Sequence, residues 1–428
     1  MNFKARLRQA LAVGSVESLG VVVGGLAGLL IVNLLPKDQY AQYTFLITCM
    51  TWMLGITDVG LAHCCLPLVG QRASETPWVV GVCYQVFRKR GWLLCLGTLI
   101  VVPYWWVTTH QHGWSDWPYW IASACMLVLV FFSLSAFYSN TVLLILGHIA
   151  TLNRVNFYGL ATRALLIAAV LLLLPVASYS IAAVVAATLA ASMLSVVLYR
   201  RGLAAHEVRP HVLAKAEAAA VDAAMYRMAK PLVLPALFFQ FQGVITVFIV
   251  SLFGTASMLA EVGALGRIAM LLIVFDRVAA TVLFPAIARA ADGPRLVLMV
   301  LRAHAAYVGI MLMVFLSALL WPQYWMLLIG PHYKGQQSLL WMVFLSTLLL
   351  NCAQFAFMTL TSRGHTRHQT FVVFFVLALQ VLCLSVFGVR SLQAVLALGV
   401  ATSLGHFLYQ YAMLGIWFSE REKRNLAT

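Results

Sequence analysis

The chain has 428 residues, of which 63% are hydrophobic and only 10% charged. Soluble globular chains carry about 25% charged residues, so this composition excludes an ordinary soluble enzyme or binding module and points to an integral membrane protein. The net charge of +15 fits basic loops against anionic lipid. With no basic domain and no aromatic RNA-binding pattern, it gives no support to nucleic acid as a partner.

The apolar runs are about 20 residues long and lack period-2 alternation, which predicts spanning helices rather than a membrane barrel. The opening MNFKARLRQALAVG has the charged head of a signal peptide. Its apolar run continues to Leu35 without an A-x-A site, so it reads as a retained first span. Further spans are expected at roughly 41–67, 91–109, 118–146, 155–175, 179–199, 231–253, 262–288, 296–320, 337–361, 370–388 and 391–418. Pro103 and a tryptophan-rich end blur the third. The segment 200–230, Ala-rich and basic, reads as a surface helix linking two halves. The eight cysteines form no C-x-x-C pair and no zinc spacing, so neither metal nor cofactor is implied.

With the N-terminus inside, 22 of the 28 Lys and Arg residues fall in inside segments and three (Lys37, Lys334, Arg390) outside. That asymmetry places both termini in the cytoplasm. Trp105, Trp106, Trp114 and Trp117 cluster at one outer end, as an interfacial belt does. No outside loop has room for a catalytic domain, and no nucleophile–base set appears, so no catalytic residue is assigned.

Six spans flank each side of the basic segment, and the two sets share marks. Asp58 and Pro67 are nine residues apart, as are Asp276 and Pro285, at an offset of 218; Ile31 and Ile249 match at the same offset. Gly147-His148 and Gly364-His365 repeat at nearly that offset. An even number of spans per half makes the repeat parallel. The expectation is an all-α polytopic membrane protein: 12 transmembrane helices in two six-helix bundles, related by a pseudo-two-fold along the membrane normal. The divisions are 1–199, a linker 200–230, 231–418 and a cytoplasmic tail 419–428. Such folds suit alternating access around a site between halves.

LLPKDQYAQYTFL, followed by a long span ending ITDVGLAHCCLPLV, resembles the start of polysaccharide exporters. Their Y-G-x-Y is Tyr40-Ala41-Gln42-Tyr43 here, with Ala for the usual Gly, and their D-x-G-L is matched by Asp58, Gly60 and Leu61. The stretch from Ser251 to Arg289 resembles the matching seventh and eighth spans. The chain is similar to Wzx-type O-antigen flippases of the multidrug/oligosaccharidyl-lipid/polysaccharide exporter superfamily. The resemblance implies outward movement of a polyprenyl-pyrophosphate-linked oligosaccharide across the bacterial inner membrane. The implied partners are that lipid-linked glycan, membrane lipids and other polysaccharide-assembly proteins. Glycan identity does not transfer.

Charged groups at membrane depth usually face a cavity or a partner. Arg163, Arg267 and Arg277 lie within spans; as guanidiniums they suit a pyrophosphate, or they serve as structural ion-pair partners. Asn140, Gln240 and Asn351 are candidates for sugar hydroxyls or for bonds between helices. Glu17, Asp58 and Asp276 are candidates for coupling to H+ or Na+ or for gating. The repeat of Asp58 in Asp276 favours an architectural part for that pair and leaves Glu17 as the better coupling candidate. The competing functions are an ion-coupled multidrug or small-solute exporter, and a membrane polysaccharide polymerase or ligase. A drug-cation exporter should show cavity acids without cavity arginines, and a polymerase needs a large outside loop.

Overall fold

The computed structural model describes residues 20, 22–173, 180–272, 275, 279, 283, 284, 287, 290, 293–363 and 368–427. Among them there is no strand. In chain order the helices are α1 (Val22–Leu34), α2 (Lys37–Asp58), α3 (Leu61–Val69), α4 (Thr76–Gln111), α5 (Trp117–Ile145), α6 (Ile149–Leu173) and α7 (Ser180–Ala205). They continue with α8 (Lys215–Phe253), α9 (Ala256–Leu271), α10 (Pro294–Leu320), α11 (Pro322–Ile329), α12 (Leu340–Ser362), α13 (Phe371–Phe387) and α14 (Leu392–Ala427). Nine of the expected spans, the third to the seventh and the ninth to the twelfth, each overlap one helix; the first is described only from residue 20 on, where α1 lies, and the eighth begins in α9, with much of its remainder outside the described residues. Eight helical segments among the described residues are long and apolar enough to cross a bilayer, and α1 and α13 are shorter apolar helices.

Local chemistry sets the boundaries. Proline occupies the first turn of α4, α5, α10 and α11, where its missing N–H has no intrahelical partner to lose. Helix α5 stops at Gly147, whose φ of 77° lets His148 N–H bond back to Leu143 O at 2.9 Å; this is a glycine-terminated helix end.

The expected second span, 41–67, is not one helix. Helix α2 ends at Asp58, and Val59 (φ 33°) and Gly60 (φ 86°) are left-handed before α3 restarts. The apolar run hides this break because Val59 and Gly60 keep its hydrophobicity. In contrast, α4 passes through Pro103 unbroken and begins 15 residues before the expected third span. The segment 200–230 divides between the end of α7 and the start of α8. Helix α8 has 39 residues, about 58 Å at 1.5 Å per residue, nearly twice the hydrocarbon thickness. Its polar first turns are tied to α4 and to the turn before it: Lys89 Nζ of α4 lies 2.8 Å from Asp222 Oδ2, and Arg72 Nη1, ahead of α4, lies 3.8 Å from Glu217 Oε1.

The contacts gather the chain into two units, Leu34–Ala260 and Met1–Asn33 with Glu261–Thr428. In the first, α2 packs on α4 and α8, and α7 packs on α5 and α6. In the second, α14 packs on α12 and α13, and α12 on α10. A core of Tyr307, Met311, Cys352, Phe355 and Trp417 lies within it. Thus most of α8, the seventh span in the sequence, packs within the first unit, and α1 groups with the second.

Candidate functional site

In the first unit, small residues hold helices close without filling the space between them. Gly159 of α6 has no room for a Cβ, which would stand 2.5 Å from Ser195 Oγ on α7. Beside this contact is an open groove of about 290 Å³, lined from α5 by Ser133 and Ala136, from α6 by Val155, Asn156, Gly159, Leu160 and Arg163, and from α7 by Ala191, Ser192, Ser195 and Tyr199. No carboxylate lines it.

Arg163 supplies its charge. It is the fifteenth residue of α6, about 21 Å along the helix axis, and so near the middle of the helix. It is half-buried, and among the described residues no hydrogen bond or ion pair engages its guanidinium. A polar relay backs the groove. Asn140 Nδ2–H donates to the Tyr199 hydroxyl at 3.0 Å, and that hydroxyl donates to Asn156 Oδ1. Ser195 Oγ–H is turned to Ala191 O at 2.9 Å, leaving its lone pairs outward. The arrangement can hold an oxyanion: a fork of N–H donors with permanent charge, beside hydroxyls and an amide whose orientations are set.

The sequence candidates Arg163 and Asn140 thus belong to one cluster, the first on the groove and the second one hydrogen bond behind it. Tyr199 and Ser195 were missed because a hydroxyl in a run of small residues carries no periodic signal. Gln240 of α8 lies against α2, where a Cβ on Gly55 would meet its Oε1 at 2.6 Å. Asn351 is buried in the second unit, its amide 3.8 Å from Met311 Sδ. In the same unit, Arg267 leans on α1, where a Cβ at Gly28 would lie 3.4 Å from its Cδ, and its Nη1 reaches Met270 Sδ at 3.5 Å. Glu261, a buried acid on α9, went unnoticed at the edge of its span. Glu17, Asp276 and Arg277 lie outside the described residues.

Asp58 has a basic neighbour. Arg90, counted with the inside loop as part of the Arg88-Lys89-Arg90 run, is on α4 and only 5% exposed. Its Nη2 reaches Thr57 Oγ1 at 3.4 Å, its guanidinium lies 4.0 Å over the Phe137 ring, and the Asp58 carboxylate acts on it electrostatically. Its Nε and Nη1 make no hydrogen bond among the described residues.

No family model and no curated protein matches this chain. Solved structures do. A multidrug resistance MATE family transporter of the MOP superfamily in its inward-facing conformation is similar at a TM-score of 0.72 and 15% identity, over 97% of this chain and 99% of that one. An outward-facing conformation of such a transporter gives 0.61 at 15% identity, over 97% of each chain. A MOP superfamily transporter from Pyrococcus furiosus, described by the reverse polarity of its binding pocket, gives 0.63 at 14%, over 97% of this chain and 95% of that one. The chain therefore has the fold of MATE transporters of the MOP superfamily.

Proposed function

We propose that the protein is an alternating-access flippase that carries a polyprenyl-pyrophosphate-linked oligosaccharide from the inner to the outer leaflet for surface polysaccharide synthesis. The observation that carries this reading is the unengaged guanidinium of Arg163 in a groove of hydroxyls and amides without a carboxylate. A cationic drug would be repelled there; a phosphate would gain charge-assisted hydrogen bonds. The groove's Asn156, Ser133 and Ser192 are groups that bind sugar hydroxyls. The fold's relatives, caught facing inward and outward, support a cycle of two states, and the higher similarity is to the inward-facing one.

On this reading the protein is a transporter in the bacterial cytoplasmic membrane, with both termini in the cytoplasm and two six-helix halves divided near the 200–230 segment. Its partners are the lipid-linked glycan, the membrane lipids and the polysaccharide-assembly proteins that supply and consume the glycan. Coupling to H+ or Na+ through Glu17 is part of the proposal.

A multidrug exporter is the second reading, favoured by the fold's relatives. The test is complementation in cells lacking the gene. Arg163→Ala should abolish surface polysaccharide while the protein still reaches the membrane, and Arg163→Lys should restore part of it. Unchanged polysaccharide, with drug resistance that follows the gene, would establish the exporter instead.

A further inference from the structure

Two contacts, one in each unit, occupy equivalent places in the sequence repeat. In the second unit, Asn33 at the end of α1 donates from Nδ2 to Leu328 O at 2.6 Å and to Leu29 O at 2.9 Å. Gly330, with φ 85°, sits so close to the Asn33 amide that no Cβ fits there. In the first unit, Ser251 near the end of α8 is held twice. His112 Nε2 is 2.9 Å from Ser251 O, and a carbonyl only accepts, so His112 is the donor. Ser251 Oγ–H is committed to Phe248 O at 2.8 Å, so Tyr104 O–H donates to Ser251 Oγ at 2.5 Å.

At the offset of 218 residues that relates Asp58 to Asp276, Asn33 falls on Ser251 and His112 falls on Gly330. The same two repeat positions therefore meet twice. Each meeting joins a residue of one sequence half to a residue of the other, and each lies at the helix ends that the basic-loop asymmetry places outside. This is also where the contact units depart from the sequence halves: α1 and the seventh span are exchanged between them. Chance would not put a close contact at both copies of one position pair; it is a hydrogen bond between His112 and Ser251, and a close approach between Gly330 and Asn33, whose own bond goes to Leu328 two residues before.

The surroundings differ. Below Ser251, Trp52, Tyr104, Phe241 and Phe248 pack ring on ring, with centroids 4.9–5.7 Å apart. Below Asn33, α1 offers glycines to α9: a Cβ on Gly25 would lie 2.8 Å from Leu271 Cδ2. One exchanged helix is held by an aromatic wall, the other meets its neighbour through glycines, and the polar contact at the tip is what they share.

We propose that Asn33 with Leu328–Gly330 and Ser251 with Tyr104 and His112 are matched latches on the two exchanged helices, and that one opening motion of the transport cycle releases both. The inference rests on the alternating-access reading above. Each latch is one or two hydrogen bonds strong, enough to bias a state and weak enough to break each cycle.

Hydrogen–deuterium exchange of the full chain in phospholipid nanodiscs tests this without any cargo. Asn33→Ala, and separately Tyr104→Phe with His112→Phe, should each speed exchange about fivefold over both 247–254 and 324–332. Acceleration confined to the segment beside the altered residue, or absent from both, overturns the proposal. A second arm runs the other way. Asn33→Cys with Leu328→Cys, oxidised to a verified intramolecular disulfide, should slow exchange over 247–254 severalfold. Unchanged exchange there overturns the proposal as well. Because neither arm uses a glycan, its failure leaves the Arg163 groove standing, and loss of the groove's function leaves the latches standing.

Discussion

Arg163 and Arg90 lie in the same unit and differ in what surrounds them. Arg90 is buried against Phe137, touches Thr57 and feels the carboxylate of Asp58. Arg163 is half-buried, lines an open groove and forms no hydrogen bond or ion pair among the described residues. A guanidinium locked between helices at a break in α2 holds architecture. One left unengaged beside oriented hydroxyls is available to a ligand. The comparison assigns different consequences to the loss of each.

The largest expected effect falls on Arg90. Arg90→Met removes the charge that balances Asp58 and should destabilise the protein by about 3 kcal/mol, read as the unfolding midpoint in detergent. The double variant Asp58→Asn with Arg90→Met should recover much of that loss. If the two changes simply add, the pair is not coupled and the contrast with Arg163 fails. Arg163→Gln should leave the unfolding midpoint within about 0.5 kcal/mol of wild type while weakening the binding of a phosphate-bearing ligand. A large fall in stability would make Arg163 a second Arg90.

Gly60 sharpens the Arg90 side of the comparison, because the break it forms presents Asp58. Its φ of 86° should make Gly60→Ala cost about 1–2 kcal/mol, with no change in ligand binding at the groove. The smallest effect concerns pH. His148, stacked on His206 with centroids 3.8 Å apart, has its pKa held below the ordinary value of 6.5 by burial and by the neighbouring ring. The unfolded chain then takes up a proton more readily than the native one. Stability present above about pH 6.5 should be lost as the pH falls below it. His148→Gln should flatten that loss in thermal melts between pH 7.5 and 5, and an unaltered slope would remove His148 as its source.

Much of this was legible beforehand. The spans followed from apolar runs, and the mark shared by Asp58 and Asp276 carried the repeat whose offset later aligns Asn33 with Ser251. Arg163 stood out because a charge within an apolar run is costly. Arg90 did not, because it ends a run of three basic residues that reads as a loop, while α4 in fact begins at Thr76. The linker was misjudged for a related reason: Ala, Glu, Lys and Met between 215 and 230 are strong helix formers, and they extend the seventh span into one 39-residue helix. The backing of the groove could not be read at all. Tyr199, Asn156 and Asn140 are far apart in sequence and meet only through the packing of α5, α6 and α7.

The most direct test of the account is the affinity of the purified protein for a polyprenyl pyrophosphate, measured beside the uncharged polyprenol. Charge-assisted hydrogen bonds contribute about 1.5–3 kcal/mol each. Arg163→Gln should therefore weaken pyrophosphate binding at least about tenfold and leave polyprenol binding unchanged. Equal pyrophosphate affinity in the two proteins would contradict the assignment of the Arg163 groove as the anion site.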